Sequence, residues 1–426
     1  MECKVLKYWE HYKASIKEQD LQFEEERYVY KFSKSKEDGF CFSLDKYKNE
    51  WILNSGYYVG LTWLDKNKHA LLINPKLNGK NPLEPDSIQI DYYKMLFTCL
   101  KHPEVTNEIQ ELFEIKWDEP TIAIENKEDV LTPFLIIQFL SLVKSIVRKG
   151  LKSSYYKVEK NLNSKVKGKV LIGSTIKQNL LKNKFLNTYC EYEEFGVNGL
   201  ENRLLKKTLL FINKYLPHRL KQNQFHYFEE TLNYITPAFE NVSDKIDLRE
   251  LKLIRKNAFF KEYDEAIRLA KIILKRFSYN ISNAVNEKIE THPFWIDMSK
   301  LFELYTLGLL KDRFANGVKY HFTHYGNELD YILKVGELKM VIDAKYKQYQ
   351  KYKVANEDVR QVSGYARLKK VYKYLDKAYP ESIDCLILYP DVVNGHDNLK
   401  SVDFSKYGVK DYNGVYKLGV KLPLIN

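Results

Sequence analysis

Residues 329–345 read L-D-Y-I-L-K-V-G-E-L-K-M-V-I-D-A-K. Two alternating runs rich in β-branched and aromatic residues flank Gly336-Glu337, and glycine in the first of two loop positions predicts a hairpin with a type II′ turn. With those two residues as the loop, Val335 pairs with Leu338, Leu333 with Met340, Tyr331 with Ile342, and Asp330 with Asp343. One face of the hairpin is then apolar. The other carries Asp330 and Asp343 side by side, with Lys345 two residues further along that face because side chains alternate with a period of two. Directly opposed carboxylates repel unless something cationic lies between them, and a divalent metal resolves the conflict.

Carboxylate oxygens suit Mg²⁺, which is commonly held by one or two carboxylates plus waters and substrate phosphate oxygens. A metal so held can acidify a water and offset charge on a phosphate, while a nearby ammonium orients the water or balances the growing negative charge. The expected chemistry is metal-assisted hydrolysis of a phosphodiester, with Mg²⁺ as cofactor and Mn²⁺ as its substitute. The flanks add to the pattern. Residues 298–314 (M-S-K-L-F-E-L-Y-T-L-G-L-L-K-D-R-F) read as an apolar helix with Glu303 between Phe302 and Leu304. Downstream, Asp358, Gln361 and Tyr365 fall at spacings of three and four in E-D-V-R-Q-V-S-G-Y-A and so share one helix face.

The pattern D-x12-D-A-K resembles the core of the PD-(D/E)xK nuclease superfamily, with Leu329 where the family name has proline. Gln361 and Tyr365 match the QxxxY element of RecB-like nucleases. The helix acid, D…DAK and DxxQxxxY together resemble the McrC family, the nuclease subunit of McrBC restriction systems. That resemblance implies a restriction-endonuclease-like mixed sheet flanked by helices. It implies a metal site of Asp330, Asp343, the Ala344 carbonyl and Glu303, with Lys345 orienting the attacking water. Gln361 would hydrogen-bond a water or the scissile phosphate, and Tyr365 would contact DNA or brace Lys345. Double-stranded DNA is the implied substrate, and a McrB-like AAA+ NTPase hexamer, expected to be a GTPase, the implied partner.

A chain of 426 residues with 44% hydrophobic and 14% aromatic residues can bury two or three cores. The expected organisation is a multi-domain α/β (α+β) chain: a β-rich partner-binding domain over 1–125, a mostly helical basic region over 126–285, and the nuclease domain over 286–426. No run of eighteen apolar residues occurs and the start lacks the order of a signal peptide, so a cytoplasmic protein without membrane contact is expected. The five cysteines are scattered and without CxxC spacing, which argues against a disulfide framework and a zinc site.

A net charge of +12 fits a nucleic-acid partner, since lysine and arginine gain affinity by releasing counterions from phosphates. The charge clusters. Between Leu140 and Cys190 the chain carries Lys144, Arg148, Lys149, Lys152, Lys157, Lys160, Lys165, Lys167, Lys169, Lys177, Lys182 and Lys184 against the single acid Glu159. Tyr155 and Tyr156 interleave with them, which suits contact to a DNA backbone or stacking on bases. Arg148, Lys149, Lys152, Lys165, Lys167 and Lys169 are the candidate contacts here; Arg360, Arg367 and Lys369 flank the candidate site.

Along the rest of the chain, 39–44, 56–64 and 70–77 read as strands, with Gly56, Gly60 and Pro75 as turn formers. Residues 91–113 read as helical with a break at Pro103, and 125–129 as a boundary. G-L-K-S-S-Y-Y, V-K-G-K-V and E-N-R-L-L-K follow McrC middle-segment patterns, with Lys167 for the more usual arginine. Glu201, Asn202 and Arg203 are read as capping and ion pairing at a helix start. Residues 168–175 (G-K-V-L-I-G-S-T) have the glycines of a phosphate-binding loop but Ser174 in place of its lysine, so no nucleotide is expected on this chain alone. Residues 384–389 read as a last sheet strand, followed by a loop and a strand pair over 414–422.

Two other functions fit parts of the pattern. A RecB-like repair exonuclease, or its iron-sulfur relative, would use the same acids on DNA ends, although four cluster-ligating cysteines are missing. A non-catalytic, DNA-binding adapter that activates an NTPase would need none of them.

Overall fold

A computed structural model of the chain describes residues 4–17, 26–33, 39–48, 50–65, 68–75, 90–100, 102, 105–125, 131–219, 222–254, 261–276, 288–324, 327–347 and 356–424. The interval 126–129, the residues after Lys347 up to Ala355, Lys76, Leu77 and Pro103 lie outside them. In chain order come β1 (Lys4–Trp9), β2 (Lys13–Lys17), β3 (Arg27–Lys31), β4 (Phe40–Tyr47), β5 (Glu50–Ser55), β6 (Tyr58–Asp65) and β7 (His69–Asn74). There follow α1 (Tyr92–Leu100), α2 (Val105–Leu112), β8 (Phe113–Ile115), β9 (Ile122–Glu125), α3 (Leu131–Lys149), β10 (Ser154–Asn163), β11 (Lys169–Val170), α4 (Ile172–Gln178), β12 (Asn187–Gly196), α5 (Leu200–Arg219), α6 (Gln222–Ile235) and α7 (Lys261–Arg276). Last are β13 (Lys288–Thr291), β14 (Phe294–Asp297), α8 (Met298–Phe314), β15 (Val318–His324), β16 (Asn327–Val335), β17 (Leu338–Ala344), α9 (Asn356–Ala366), α10 (Lys369–Leu375), β18 (Asp384–Pro390) and β19 (Val415–Val420).

The chain forms two compact units, one of Met1–Pro133 with Glu287–Asn426 and one of Phe134–Asn286. The regions read separately as 1–125 and 286–426 therefore share one unit. The reason is β14, which follows the middle segment yet inserts between β6 and β8 in a five-stranded sheet of order β1-β7-β6-β14-β8. Buried on both faces, β6 and β7 read as nearly continuous apolar runs. Gly60 is not a turn former as expected. It lies within β6 opposite Trp295, where a Cβ would meet Phe294 O at 2.1 Å and the Trp295 ring at 2.7 Å. A four-stranded antiparallel sheet, β2-β5-β4-β3, packs over this one through Phe42, Trp51, Leu71, Ile73 and Trp295.

The third sheet of this unit has the order β15-β16-β17-β18-β19, antiparallel at its first two junctions and parallel at its last two. Its centre is the β16–β17 hairpin. Tyr331 pairs with Ile342, Leu333 with Met340 and Val335 with Leu338, the expected register. Gly336 takes φ +55° while Glu337 does not enter positive φ, the pattern of a II′ turn. The acid-bearing face is not polar along its length, however. Ile332 and Val341, next to the acids on that face, are buried with Val359 and Val362 because α9 covers them. The opposite face meets α8, where the buried Tyr331 hydroxyl donates to Glu303 O at 2.7 Å. Residues 384–390 do not end the sheet: a single strand, β19, adds parallel to β18 in place of the expected strand pair.

The unit Phe134–Asn286 contains most of α3 and all of α4. Besides α5, α6 and α7 it holds a three-stranded antiparallel sheet of order β10-β12-β11. Ser-Tyr-Tyr-Lys-Val-Glu-Lys-Asn-Leu-Asn has two tyrosines and a valine, residue types that favour a strand. Ala266, Leu269, Ala270 and Ile273 of α7 are buried, as their helical spacing implies. Among the described residues α3 alone is long and apolar enough to cross a membrane, and Leu135, Ile136, Phe139, Leu140 and Val143 along it are buried. The described cysteines, Cys41, Cys99, Cys190 and Cys385, are buried.

Candidate active site

The hairpin brings its two acids together where the ladder ends. Beyond the Tyr331–Ile342 pair, Asp330 Oδ2 accepts a hydrogen bond from the Ala344 amide at 2.7 Å instead of leaving that amide to a strand partner. Asp343 is buried, and its Oδ2 lies 3.0 Å from Lys345 Nζ. Lys345 is the ion-pair partner of that oxygen, and no hydrogen bond of regular geometry reaches it. The strand exit is held on three sides. Lys345 N donates to Leu388 O at 2.8 Å, the Tyr346 hydroxyl donates to Glu10 Oε1 at 3.0 Å, and Lys347 Nζ lies 3.1 Å from Asp358 Oδ1 on α9.

The QxxxY residues act on the lysine. Gln361 Oε1 accepts from Lys345 Nζ at 2.8 Å, and Gln361 Nε2 donates to the Tyr365 hydroxyl at 3.0 Å. Of the two roles expected for Tyr365, bracing Lys345 is the one this contact chain supports. Asp358, three residues before Gln361 on the same helix face, fixes the helix to the strand exit through Lys347.

Glu303 reaches the same cleft from α8, a helix started by Asp297, whose side chain accepts from Lys300 N at 2.9 Å. It does not stand alone with the acid pair. Its Oε1 lies 3.1 Å from His321 Nε2 and 3.5 Å from Lys300 Nζ. Lys300 Nζ in turn donates to the Tyr320 hydroxyl at 2.6 Å and lies 2.9 Å from His321 Nε2, while His321 Nδ1 lies 3.2 Å from Glu328 Oε1. Sequence reasoning missed Lys300, His321 and Glu328. One signal was present: V-K-Y-H-F-T-H alternates like a strand, and pairing it with β16 sets His321 opposite Asp330.

The electrostatics follow from burying acids together. Burial, then the charges of Asp343 and Glu303, holds the Asp330 carboxyl well above the usual range, against the opposing pull of the Ala344 amide and Lys345. Burial pushes Asp343 up to about 6, with Lys345 pulling it down. Burial disfavours the charged form of Lys345, but Asp343 and Asp330 outweigh it and raise its pKa. Glu303 goes the other way: burial would raise it, and the His321 hydrogen bond and the Lys300 charge bring it below the ordinary value.

The cleft around these residues has a volume of about 720 Å³, and Asp330, Asp343, Ala344, Lys345, Glu303, Gln361 and Tyr365 all line it. A buried carboxylate oxygen without a hydrogen bond, beside a second carboxyl with a raised pKa, is a hard-oxygen donor set that fits a divalent cation of the Mg²⁺ type. Among the described residues no three His, Cys, Asp or Glu side chains converge as a metal group. The side-chain donors would then be Asp330 and Asp343, and water, carbonyl or phosphate oxygens would complete the shell, as is usual for Mg²⁺.

The basic candidates divide. Arg360, Arg367 and Lys369 are exposed on or beside α9 and α10 in the unit that holds the cleft. In the other unit, Lys152 Nζ donates to Glu201 Oε1 at 2.6 Å and Lys149 pairs with Glu262. Asn202 is buried beside them, donating to Lys152 O at 2.9 Å and accepting from the Tyr263 hydroxyl at 2.8 Å, so this helix start is structural. Lys167 lies 3.7 Å from Glu194, while Arg148, Lys165 and Lys169 are exposed.

Comparison with known proteins supplies a family. A profile described as McrBC 5-methylcytosine restriction system component matches residues 53–380. No curated protein matches the chain. Among solved structures, the chain is similar to a refined half-complex from a tetradecameric assembly of Thermococcus gammatolerans McrB AAA+ hexamers with bound McrC. That likeness has 15% identity and a TM-score of 0.39, over 98% of this chain and 94% of that one. The chain is also similar to the cryo-EM structure of the Thermococcus gammatolerans McrBC complex, with 16% identity and a TM-score of 0.29, over 72% of this chain and 87% of that one. More than half of the 426 residues fall within the family match, all of the candidate site among them, and the chain belongs to the family of McrBC 5-methylcytosine restriction system components.

Proposed function

We propose that this chain is a Mg²⁺-dependent DNA endonuclease subunit with a PD-(D/E)xK-type site, acting in a McrBC-like restriction complex with an AAA+ NTPase partner, expected to be a GTPase, whose hydrolysis it stimulates. The observation that carries this reading is Asp343 Oδ2, buried without a hydrogen bond, beside Asp330 and 3.0 Å from Lys345 Nζ. A divalent cation bound there would supply Lewis acidity toward a phosphate and lower the pKa of a water. Asp330 and Asp343 would hold it, and Asp330 keeps its orientation through the Ala344 amide. Lys345, steered by Gln361 and Tyr365, places an ammonium where it can orient the attacking water or balance charge on the phosphate. The exposed Arg360, Arg367 and Lys369 would bear on the DNA backbone.

The test is cleavage of methylated and unmethylated plasmid with Mg²⁺, with and without the partner and NTP, beside Asp343→Ala. Cutting that requires partner and NTP and disappears in Asp343→Ala is the expected result. Stimulated NTP hydrolysis without any cutting would instead leave the adapter reading, and preference for linear over circular DNA the exonuclease reading.

A further inference from the structure

We propose that Lys300 and His321 are positioning residues that hold Glu303 away from the cation site of Asp330 and Asp343, so that two carboxylates rather than three set the affinity of that site. The inference rests on the cation reading above and concerns a residue that the family resemblance implies among the metal ligands.

Three observations support it. First, His321 sits at φ +50° inside β15, a conformation uncommon for a residue other than glycine. Such outliers persist where the surrounding structure requires them. The β15–β16 ladder runs on both sides of it, from Tyr320–Tyr331 to Phe322–Leu329, and skips the position opposite Asp330. Second, its ring lies between acids, with Nε2 3.1 Å from Glu303 and Nδ1 3.2 Å from Glu328. Third, Lys300 comes from the turn of α8 before Glu303, and its Nζ lies within 3.5 Å of the same Glu303 oxygen that His321 meets. Glu303 lines the same cleft as Asp330 and Asp343. Yet it does not join them in a three-carboxylate group. Its partners account for this: an acid held by an ammonium and an imidazole is not free to turn toward a cation.

The test is Mn²⁺ binding to the full chain without DNA, followed by electron paramagnetic resonance. Wild-type protein is expected to bind Mn²⁺ in a manner lost in Asp343→Asn. Lys300→Met and His321→Asn, the latter chosen because asparagine tolerates positive φ, should each tighten binding by about tenfold, within the range by which groups around a ligand shift metal affinity. Combined with Glu303→Gln, each should bind no more tightly than Glu303→Gln alone. A gain that persists in the Glu303→Gln background would report only the lost positive charge and overturn the inference, as would unchanged affinity in both variants. Failure of the wild type to bind Mn²⁺ through Asp343 would remove the cation site itself, and this inference with it.

Discussion

Asp330 and Ala344 are joined by a hydrogen bond from the Ala344 amide to Asp330 Oδ2 of 2.7 Å, made where the β16–β17 ladder would otherwise continue. That bond substitutes a carboxylate for a carbonyl at the end of a hairpin, and it leaves the second acid, Asp343, facing Lys345. The pair is held ready and is costly when no cation is present.

Asp330→Asn tests that cost. The folded-state pKa of Asp330 is raised, so its contribution to stability is fully present below the unfolded value near 4 and is lost as pH rises through the folded one. Asparagine keeps an acceptor for the Ala344 amide and removes the charge. In EDTA the variant should therefore match wild type at pH 4 and melt roughly 2–4 °C higher at pH 8, for about 1 kcal/mol in a unit of this size. Thermal melts across that range check it, and a variant less stable at pH 8 would refute the argument. Mg²⁺-dependent cleavage should fall by at least ~100-fold in the same protein.

The contact chain from Lys345 through Gln361 to Tyr365 predicts graded effects. Tyr365→Phe removes one hydrogen bond worth about 1 kcal/mol and should slow single-turnover cleavage roughly fivefold. Gln361→Leu leaves Lys345 without its acceptor and should slow it more, while DNA affinity in Ca²⁺ stays unchanged. Equal losses of affinity in both variants would place these residues on DNA instead.

Two glycines separate packing from backbone conformation. Gly60→Ala forces a Cβ to within 2.1 Å of Phe294 O and should destabilise the unit by ~2–3 kcal/mol or more, because β14 cannot move away from β6 without leaving the sheet. Gly336→Ala meets no neighbour but holds φ +55°, and should cost only about 1 kcal/mol. Urea melts of both variants decide the order.

The basic candidates should part in a salt titration. Replacing Arg360, Arg367 and Lys369 together by alanine should lower the slope of log affinity for DNA against log salt by up to ~3, about one for each lost phosphate contact. Lys152→Ala should leave that slope unchanged and lower the melting temperature, since Lys152 is tied to Glu201. A change of slope in Lys152→Ala would return it to the DNA-contacting set.

Local chemistry in the sequence determined the hairpin. A two-residue loop with glycine first, and apolar alternation on either side, leave one register, and that register sets Asp330 beside Asp343 and aims Lys345 the same way. The helix carrying Glu303 and the face shared by Gln361 and Tyr365 followed for the same reason, since helical spacing is a property of neighbours in the chain. Tertiary structure alone decided the rest. That β14 pairs with β6, more than two hundred positions earlier, depends on a pairing no local pattern encodes. Whether Lys152 meets solvent or Glu201, and whether Glu303 meets a cation or His321 and Lys300, are questions of which charge lies within 4 Å in space. In a chain with 68 lysines and arginines, sequence offers every acid many partners, and only packing chooses among them.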